Sequence, residues 1–346
     1  MATLSMFTNA QLEELERERS INLSDATPLG QVMPWTFEDT DAVLWENRDN
    51  VTGITPARGV GEAYPVMDDS GVKRHAMTPG HFGETRVVDA SRLVRGREVG
   101  TWGEAIDPYR EASRMMFEIA QRELSLVNYT RGRLLSLGEV SVPDRNGTTR
   151  YTHNWNGYTS QLVTLAGNDV WTDLDDSYPL GSIRDAIHAK GIGSGHSFNR
   201  PEAMAISNPI TWSYVWKNEN PADVGGKRDP FGATITDMGT FKRYMVNQAD
   251  LPMPVIDDSG YGRATDDVWQ FNVPDGYVVI VGVHMAYGVK CGNYVGTRHD
   301  AAKGRATIYA EIDESPNPPK LPRVHRGHSG GPRLNFGRQV IVMKVY

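Results

Sequence analysis

The residues with the most direct claim to chemistry lie near the carboxyl end, in Gly327-His328-Ser329-Gly330-Gly331-Pro332. A serine set among glycines can act as a nucleophile when a base takes its proton and a carboxylate orients that base. Gly191-Ile192-Gly193-Ser194-Gly195-His196 has the glycine density of a phosphate-cradling loop. It lacks the Lys-Ser/Thr ending and does not sit cleanly between a strand and a helix, so a flexible loop is expected. Carboxylates gather at Asp173/Asp175/Asp176, Asp257/Asp258 and Asp266/Asp267. Metal binding or acid–base work would need such groups to converge in a pocket, and aspartate pairs beside Gly and Ser read as solvated turns. The nine histidines are scattered, with His325 and His328 the only close pair. No Cys/His spacing resembles a zinc site, and neither a metal nor a cofactor is expected. Cys291 stands beside Gly292 after an apolar strand and should be a buried thiol. Trp212 and Trp216 fall four apart, on one face of a helix, where core or interface packing is the expected use.

The serine string resembles the nucleophile motif of chymotrypsin-like serine proteases, with His328 where that family has Asp. Only 14 residues follow it, too few to complete the second barrel of that family. No matching histidine motif appears in the first third of the chain. The better reading is a glycine-rich turn before the final strand, and the chain is not expected to be an enzyme.

The elements that would position these residues are short and much interrupted. The chain has 346 residues, enough for two compact domains. Its 39% hydrophobic and 23% charged residues exclude disorder over most of the length. The 35 Gly and 20 Pro are spread throughout, which predicts many turns and few long helices. A net charge of -7 argues against a protein that works by neutralising nucleic-acid phosphates. A single cysteine forbids an internal disulfide and fits a reducing compartment. The amino terminus has no signal-peptide pattern. The longest apolar stretch, Tyr277 to Val289, contains His284 and falls short of the roughly 20 residues of a membrane helix. A soluble protein made in the cytosol is expected.

Thr8 and Gln11 form a capping box for a short helix whose apolar face is Leu12 and Leu15, too thin to fold without an outside surface. No helical period persists from about Ser20 to Gly100. That stretch reads as an extended arm and a long two-stranded loop ordered by neighbouring chains, with strand character at Thr85-Arg86-Val87-Val88 and Leu93-Val94. Asp107 and Pro108 then open a helix with apolar residues at Met116, Ile119, Ala120, Leu124, Val127 and Leu134, and Gly138 stops it. Asn146-Gly147 marks a hairpin turn. Mixed α/β character follows from about Ser177. Helices are expected at Ile183 to Ala189, after Asn208-Pro209 and from Asp237, and strands at Ala203 to Ile206, Pro254 to Ile256, Tyr277 to Val283 and Arg338 to Tyr346.

The order of these elements resembles the major capsid proteins of tailed bacteriophages with the Hong Kong 97-type fold, and more closely the phage lambda coat-protein branch. Met6-Phe7-Thr8-Asn9-Ala10-Gln11-Leu12 looks like that branch's opening, and Met77-Thr78-Pro79-Gly80-His81 like the descending side of its extended loop. Asp107-Pro108-Tyr109-Arg110 and Gln121-Arg122-Glu123 resemble its spine helix. Asn208-Pro209-Ile210-Thr211-Trp212 resembles a strand-to-helix corner, and Phe271-Asn272-Val273-Pro274-Asp275-Gly276-Tyr277-Val278-Val279 a later loop and strand.

The resemblance implies an α+β fold with an N-terminal arm (1–35) and an extended β-hairpin loop (36–98). A peripheral β-sheet domain (99–176 and 301–346) would carry the long spine helix at about 107–137, and an α/β axial domain would cover 177–300. It implies hexamers and pentamers in an icosahedral shell around double-stranded DNA, in a virion assembled in the host cytoplasm. Scaffolding, portal and decoration proteins would be the partners, and no membrane is involved. Leu12, Leu15, Thr78, Pro79, Gly80, Trp212 and Trp216 are the expected assembly contacts. Some relatives cross-link through a loop lysine; Lys73 is the candidate position, but cross-linking is not expected. An encapsulin-like bacterial compartment shell, which shares the fold, is the alternative, with a hydrolase using Ser329 behind it.

Overall fold

The computed structural model describes residues 22–40, 42–48, 72–87, 108–144, 147–217, 238–247, 250–262, 269–297, 308–314 and 322–346. Leu12, Leu15, Leu93, Val94, Asp107 and the Asp266/Asp267 pair lie outside them, as does the Trp216 side chain. The first element, the short helix α1 (Pro28–Val32), is capped by Thr27, whose hydroxyl accepts the Gly30 N–H at 3.1 Å. Leu29, Val32, Met33 and Trp35 around it are all buried. This part of the segment expected to depend on neighbouring chains is therefore ordered by its own chain.

The dominant helix, α2 (Pro108–Leu137), is 30 residues long, about 45 Å at 1.5 Å per residue. The apolar series that predicts it is buried throughout, from Met116, Ile119 and Ala120 to Leu124, Val127 and Leu134. Gly138 ends it in the left-handed region at φ 73°, its N–H donating to the Leu134 carbonyl at 3.0 Å. A side chain at Gly138 would also collide with the Tyr158 ring.

Two five-stranded sheets flank this helix. In the first, β15 (Pro322–Leu334) is the central strand. One of its edges carries β13 (Gly292–Thr297) and then β14 (Ile308–Glu314), and the other carries β4 (Gly80–Val87), all antiparallel. The short β1 (Trp35–Phe37) runs parallel to β13. Here the expectation of a turn at Gly327–Pro332 fails, because those residues lie within β15. The glycines serve close approach. A Cβ on Gly330 would sit 2.5 Å from the Val295 carbonyl oxygen, and one on Gly331 would run into the Tyr151 hydroxyl and lie 2.8 Å from Met77 Sδ.

The second sheet has the order β7 (Leu162–Thr164), β16 (Val340–Lys344), β12 (Tyr277–Val281), β8 (Met204–Ser207), β9 (Met253–Ile256). The final strand lies inside this sheet as expected, and both its faces are covered. Ile341, Met343 and Val345 join Trp171, Ile183, Trp212, Phe241 and Met245 in one core, while Val340 and Val342 join Leu29, Met33, Leu134 and Val140 in another. A strand buried on both sides reads as an unbroken apolar run. Helices cover the first of these cores. α4 (Pro179–Ala186), which follows the one-turn α3 (Tyr158–Gln161), begins earlier than expected and passes into a π-turn at Ile187–Gly191. α5 (Pro209–Lys217) starts where Asn208 caps it, Oδ1 accepting the Thr211 N–H at 2.7 Å. α6 (Met238–Asn247) turns Phe241 and Met245 inward.

Three two-stranded units complete the fold: β2 (Val43–Arg48) with β3 (Val72–Met77), β5 (Glu139–Pro143) with β6 (Thr149–Asn154), and β10 (Gly260–Gly262) with β11 (Trp269–Phe271). In the β5–β6 hairpin Gly147 sits at φ 83° and donates to the Asp144 carbonyl, while the Asp144 N–H donates to the Thr148 carbonyl at 2.7 Å. Asn146 lies outside the described residues, and Gly147 stands in the β5–β6 connection where the Asn146-Gly147 pair predicts the turn.

Candidate functional site: the seam between the long helix and the central strand

Helix α2 packs across β15, and their shared face is charged. Arg326 Nε donates to Glu123 Oε2 at 2.5 Å, with both side chains buried. His328 Nδ1 stands 3.7 Å from the other Glu123 oxygen, and its Nε2 is hydrogen-bonded to the Tyr294 hydroxyl at 2.9 Å. Burial pushes the Glu123 carboxyl up, but His328 and Arg326 together carry it below the usual carboxylate value. About two turns further along α2, Arg131 is fully buried. It donates to Ser24 Oγ at 2.5 Å and Asn128 Oδ1 at 3.1 Å, and its guanidinium lies 5.7 Å from the Tyr294 ring centroid. Burial lowers Arg131 to about 10, with Asp25 opposing the fall. Toward solvent the seam continues as a ladder in which Arg86 bridges Glu84 and Glu118, Arg114 bridges Glu111 and Glu118, and Arg122 reaches Glu84. Exposed pairs of this kind contribute roughly 0–1 kcal/mol each, so the buried centre dominates.

Ser329 has a partner that sequence reasoning did not find. His81 Nδ1 lies 2.6 Å from Ser329 Oγ, because the β4–β15 register sets the two residues opposite each other. A serine–histidine contact alone does not make an acyl-transfer site. Ser329 is completely buried, and its strand is paired with β13 on one side and β4 on the other. The backbone N–H groups that would have to converge on an oxyanion are engaged in those ladders. The contact is a cross-strand polar pair.

The structure separates the other candidates. Thr78 is exposed, whereas Pro79 and Gly80 are buried where β3 passes into β4. Trp212 is fully buried beside Trp171 and Phe241, at ring distances of 6.2 and 6.0 Å, and donates its indole N–H to the Val255 carbonyl. It is core, so its side chain is not available to a neighbouring chain. Asp257 corrects the reading of aspartate pairs as solvated turns. It is 1% exposed, accepts the Ser259 N–H and hydroxyl at 3.2 and 2.5 Å, and is pushed up by burial. Asp175 and Asp176 are exposed as expected. The Gly191–His196 stretch is a hydrogen-bonded turn in which the buried Ser194 hydroxyl donates to the Gly191 carbonyl. His325 bonds Thr85 and Asp313 and does not join His328. Cys291 is a buried thiol as expected, pushed up to about 12 by burial. Among the described residues no three His, Cys, Asp or Glu converge on a metal position, and no helix is long and apolar enough to cross a membrane.

No protein-family model matches the chain, and no curated protein matches its sequence. Solved structures do match. A prophage protein of E. coli CFT073 assigned as a capsid protein superposes with a TM-score of 0.62, covering 98% of this chain and 99% of its own at 12% identity. The chain has the fold of phage capsid proteins. A phage-related protein from Bordetella bronchiseptica RB50 matches with a TM-score of 0.54 over 94% of this chain and 96% of its own, at 9% identity. The capsid of a native GTA particle gives 0.51 over 91% and 89%, at 12% identity.

Within this capsid fold, the large apolar side chains left outside are as informative as those within. Met285 is 90% exposed at the tip of a turn closed by mutual His284–Gly288 hydrogen bonds. Tyr287 of the same turn stacks on Phe336, which stacks on His284. Leu44 on the β2–β3 hairpin, Ile192, Trp269 and Phe117 are also exposed. The sequence signal for these positions is weak, since Leu44 and Phe117 stand in apolar runs next to buried Val43 and Met116, and the chain alone does not say which of them faces out.

Proposed function

We propose that the chain is the major capsid protein of a tailed bacteriophage, which self-assembles into the icosahedral head shell enclosing the viral double-stranded DNA. The observation that carries this reading is the end-to-end match to the prophage protein, in which nearly the whole of both chains takes part at a TM-score of 0.62. A satellite phage P4 procapsid and a cyanophage capsid match over more than nine-tenths of this chain with TM-scores of 0.52 and 0.51.

In Hong Kong 97-type terms, α2 is the spine helix, and the β2–β3 hairpin is the root of the extended loop within 36–98. The sheet built on β15 belongs to the peripheral domain, although its β13 falls within 177–300, and the sheet built on β12, which takes β7 and β16 from outside that range, supports the axial domain. Residues 1–35 are the arm. The physical logic is a division of labour. A body with its own cores and a buried ion-pair seam keeps its shape, while exposed apolar side chains such as Leu44, Met285 and Tyr287 gain burial only against other copies. Hexamers and pentamers would form around the axial domain. Scaffolding, portal and decoration proteins are the further partners, in a virion assembled in the host cytoplasm.

Electron microscopy and light scattering of the purified chain, alone and with its scaffold, test the reading. Shells or capsomers are expected. A strictly monomeric species under all assembly conditions refutes it, and particles that package a protein cargo and no DNA point to a bacterial compartment.

A further inference from the structure

The β2–β3 hairpin meets the body along a narrow junction. Val43 and Met77 pack on Val295 of β13 with Trp45 against them, and the Trp45 indole N–H donates to the Leu334 carbonyl at 3.2 Å. The Tyr151 hydroxyl reaches Met77 Sδ at 3.6 Å. The Trp45 indole also contacts two imidazoles from opposite sides of the junction. His75 of β3 stacks on it with centroids 5.3 Å apart and planes 19° apart, and His153 of β6 meets it edgewise at 6.3 Å and 61°. The junction opens into a cavity of about 840 Å³ lined in part by Arg74, His75, His153, His196 and Arg338, with no acidic residue among the described residues of its lining.

We propose that this imidazole–indole stack is an acid-released latch: the hairpin docks while His153 is neutral, and protonating His153 frees it while the two sheets stay folded. Among the described residues, the cavity lining holds no carboxylate to compensate a positive charge on His153. Arg74, on the hairpin, is already tied to Glu46 at 2.9 Å. Arg338, from the connection between β15 and β16, lines the same cavity and adds positive charge. His196 faces the cavity from the turn after Gly191 and stacks toward His284 at 5.4 Å. It is itself lowered to about 4 by burial, then by His284 and Arg338.

Burial, and then His75, lower His153 to about 4 from an ordinary value of 6.5. The docked hairpin therefore binds fewer protons than the released one. Docking is fully present above pH 6.5 and weakens as the pH falls toward 4. Releasing His153 to solvent makes docking about 30-fold weaker at pH 5 than at pH 8.

Hydrogen exchange of the full chain as soluble subunit or capsomer, corrected for intrinsic exchange, tests this between pH 8 and pH 5. Amides of 43–48 and 72–77 should lose protection by about 30-fold at pH 5, while those of 277–281 and 340–344 hold theirs. His153→Leu should keep the hairpin protected at pH 5, and His75→Gln should reduce the acid loss. The proposal is overturned if wild-type hairpin protection is unchanged at pH 5, or if the two sheets open together with the hairpin. An undiminished acid loss in His153→Leu overturns it as well. The wild-type profile decides even if that variant fails to fold, and none of these readouts depends on shell formation.

Discussion

Replacing Glu123 by Gln tests whether the seam between α2 and β15 is the mechanical centre of the fold. The substitution keeps shape and hydrogen-bonding capacity but removes the negative charge facing Arg326, whose side chain is fully buried, and His328, also fully buried. Arg326 then becomes a buried cation without its counter-charge, a loss of roughly 3–5 kcal/mol where one partner of a buried pair is removed. Equilibrium urea unfolding of the unassembled subunit reads this as a fall in the midpoint at unchanged slope. The companion double variant, Glu123→Leu with Arg326→Met, removes both charges and should recover most of the loss, because a well-packed apolar pair of similar volume is often neutral or stabilising. The pH dependence follows from the same carboxyl. Glu123 is held below its ordinary 4.5 in the folded chain, so its contribution is present above pH 4.5 and is lost as the pH falls through the lower folded value. A Glu123→Gln variant within 1 kcal/mol of wild type, or a double variant no better than the single one, would refute the reasoning that this pair organises the seam.

Gly138→Ala should destabilise the subunit by at least about 1 kcal/mol, since the new residue must adopt φ 73° and also collides with Tyr158; thermal unfolding of the subunit measures it. Cys291 should resist alkylation in the native state and react only on unfolding, because the thiol is fully buried and raised to about 12; a thiol count with and without denaturant decides. Ser329→Ala should abolish no hydrolytic activity and should still give shells by electron microscopy, while the loss of a measurable hydrolysis would revive the enzyme reading.

The long helix was legible because its apolar series, its proline start and its glycine stop agree, and burial at all six positions from Met116 to Leu134 follows that series. The α5 start was legible for the same local reason, Asn208 before Pro209. What was not legible depends on pairing across long separations. His81 and Ser329 are 248 positions apart, and only the β4–β15 register brings them together. Asp257 carries no local sign of burial either. Its neighbours Asp258, Ser259 and Gly260 are turn residues, and the carboxyl is enclosed where the Asp257 N–H joins the Ser207 carbonyl and Oδ1 takes both Ser259 donors.

The misreading of Gly327–Pro332 shows where the limit lies. Glycine frequency marks turns when the chain must reverse, but it marks strands when another backbone must come close. Gly330 faces the Val295 carbonyl, Gly331 faces Tyr151 and Met77, and Gly83 on β4 faces the Arg326 carbonyl at 3.2 Å. These contacts come from three different partners of β15, and none of them is near it in sequence. The string is therefore the point where β13, β4 and the β3 end of the hairpin converge on the central strand. That also accounts for the hydrophobic residues around it. A Cβ at 331 would lie 2.8 Å from Met77 Sδ, so Met77 would have to shift within its cluster with Val43 and Val295. A Gly331→Val variant should therefore disturb the hairpin junction more than the α2 seam, a difference that amide exchange of 72–77 against 116–134 would resolve. Equal loss in both segments would mean that β15 transmits the strain as one rigid strand, and the junction would then have no independence from the seam.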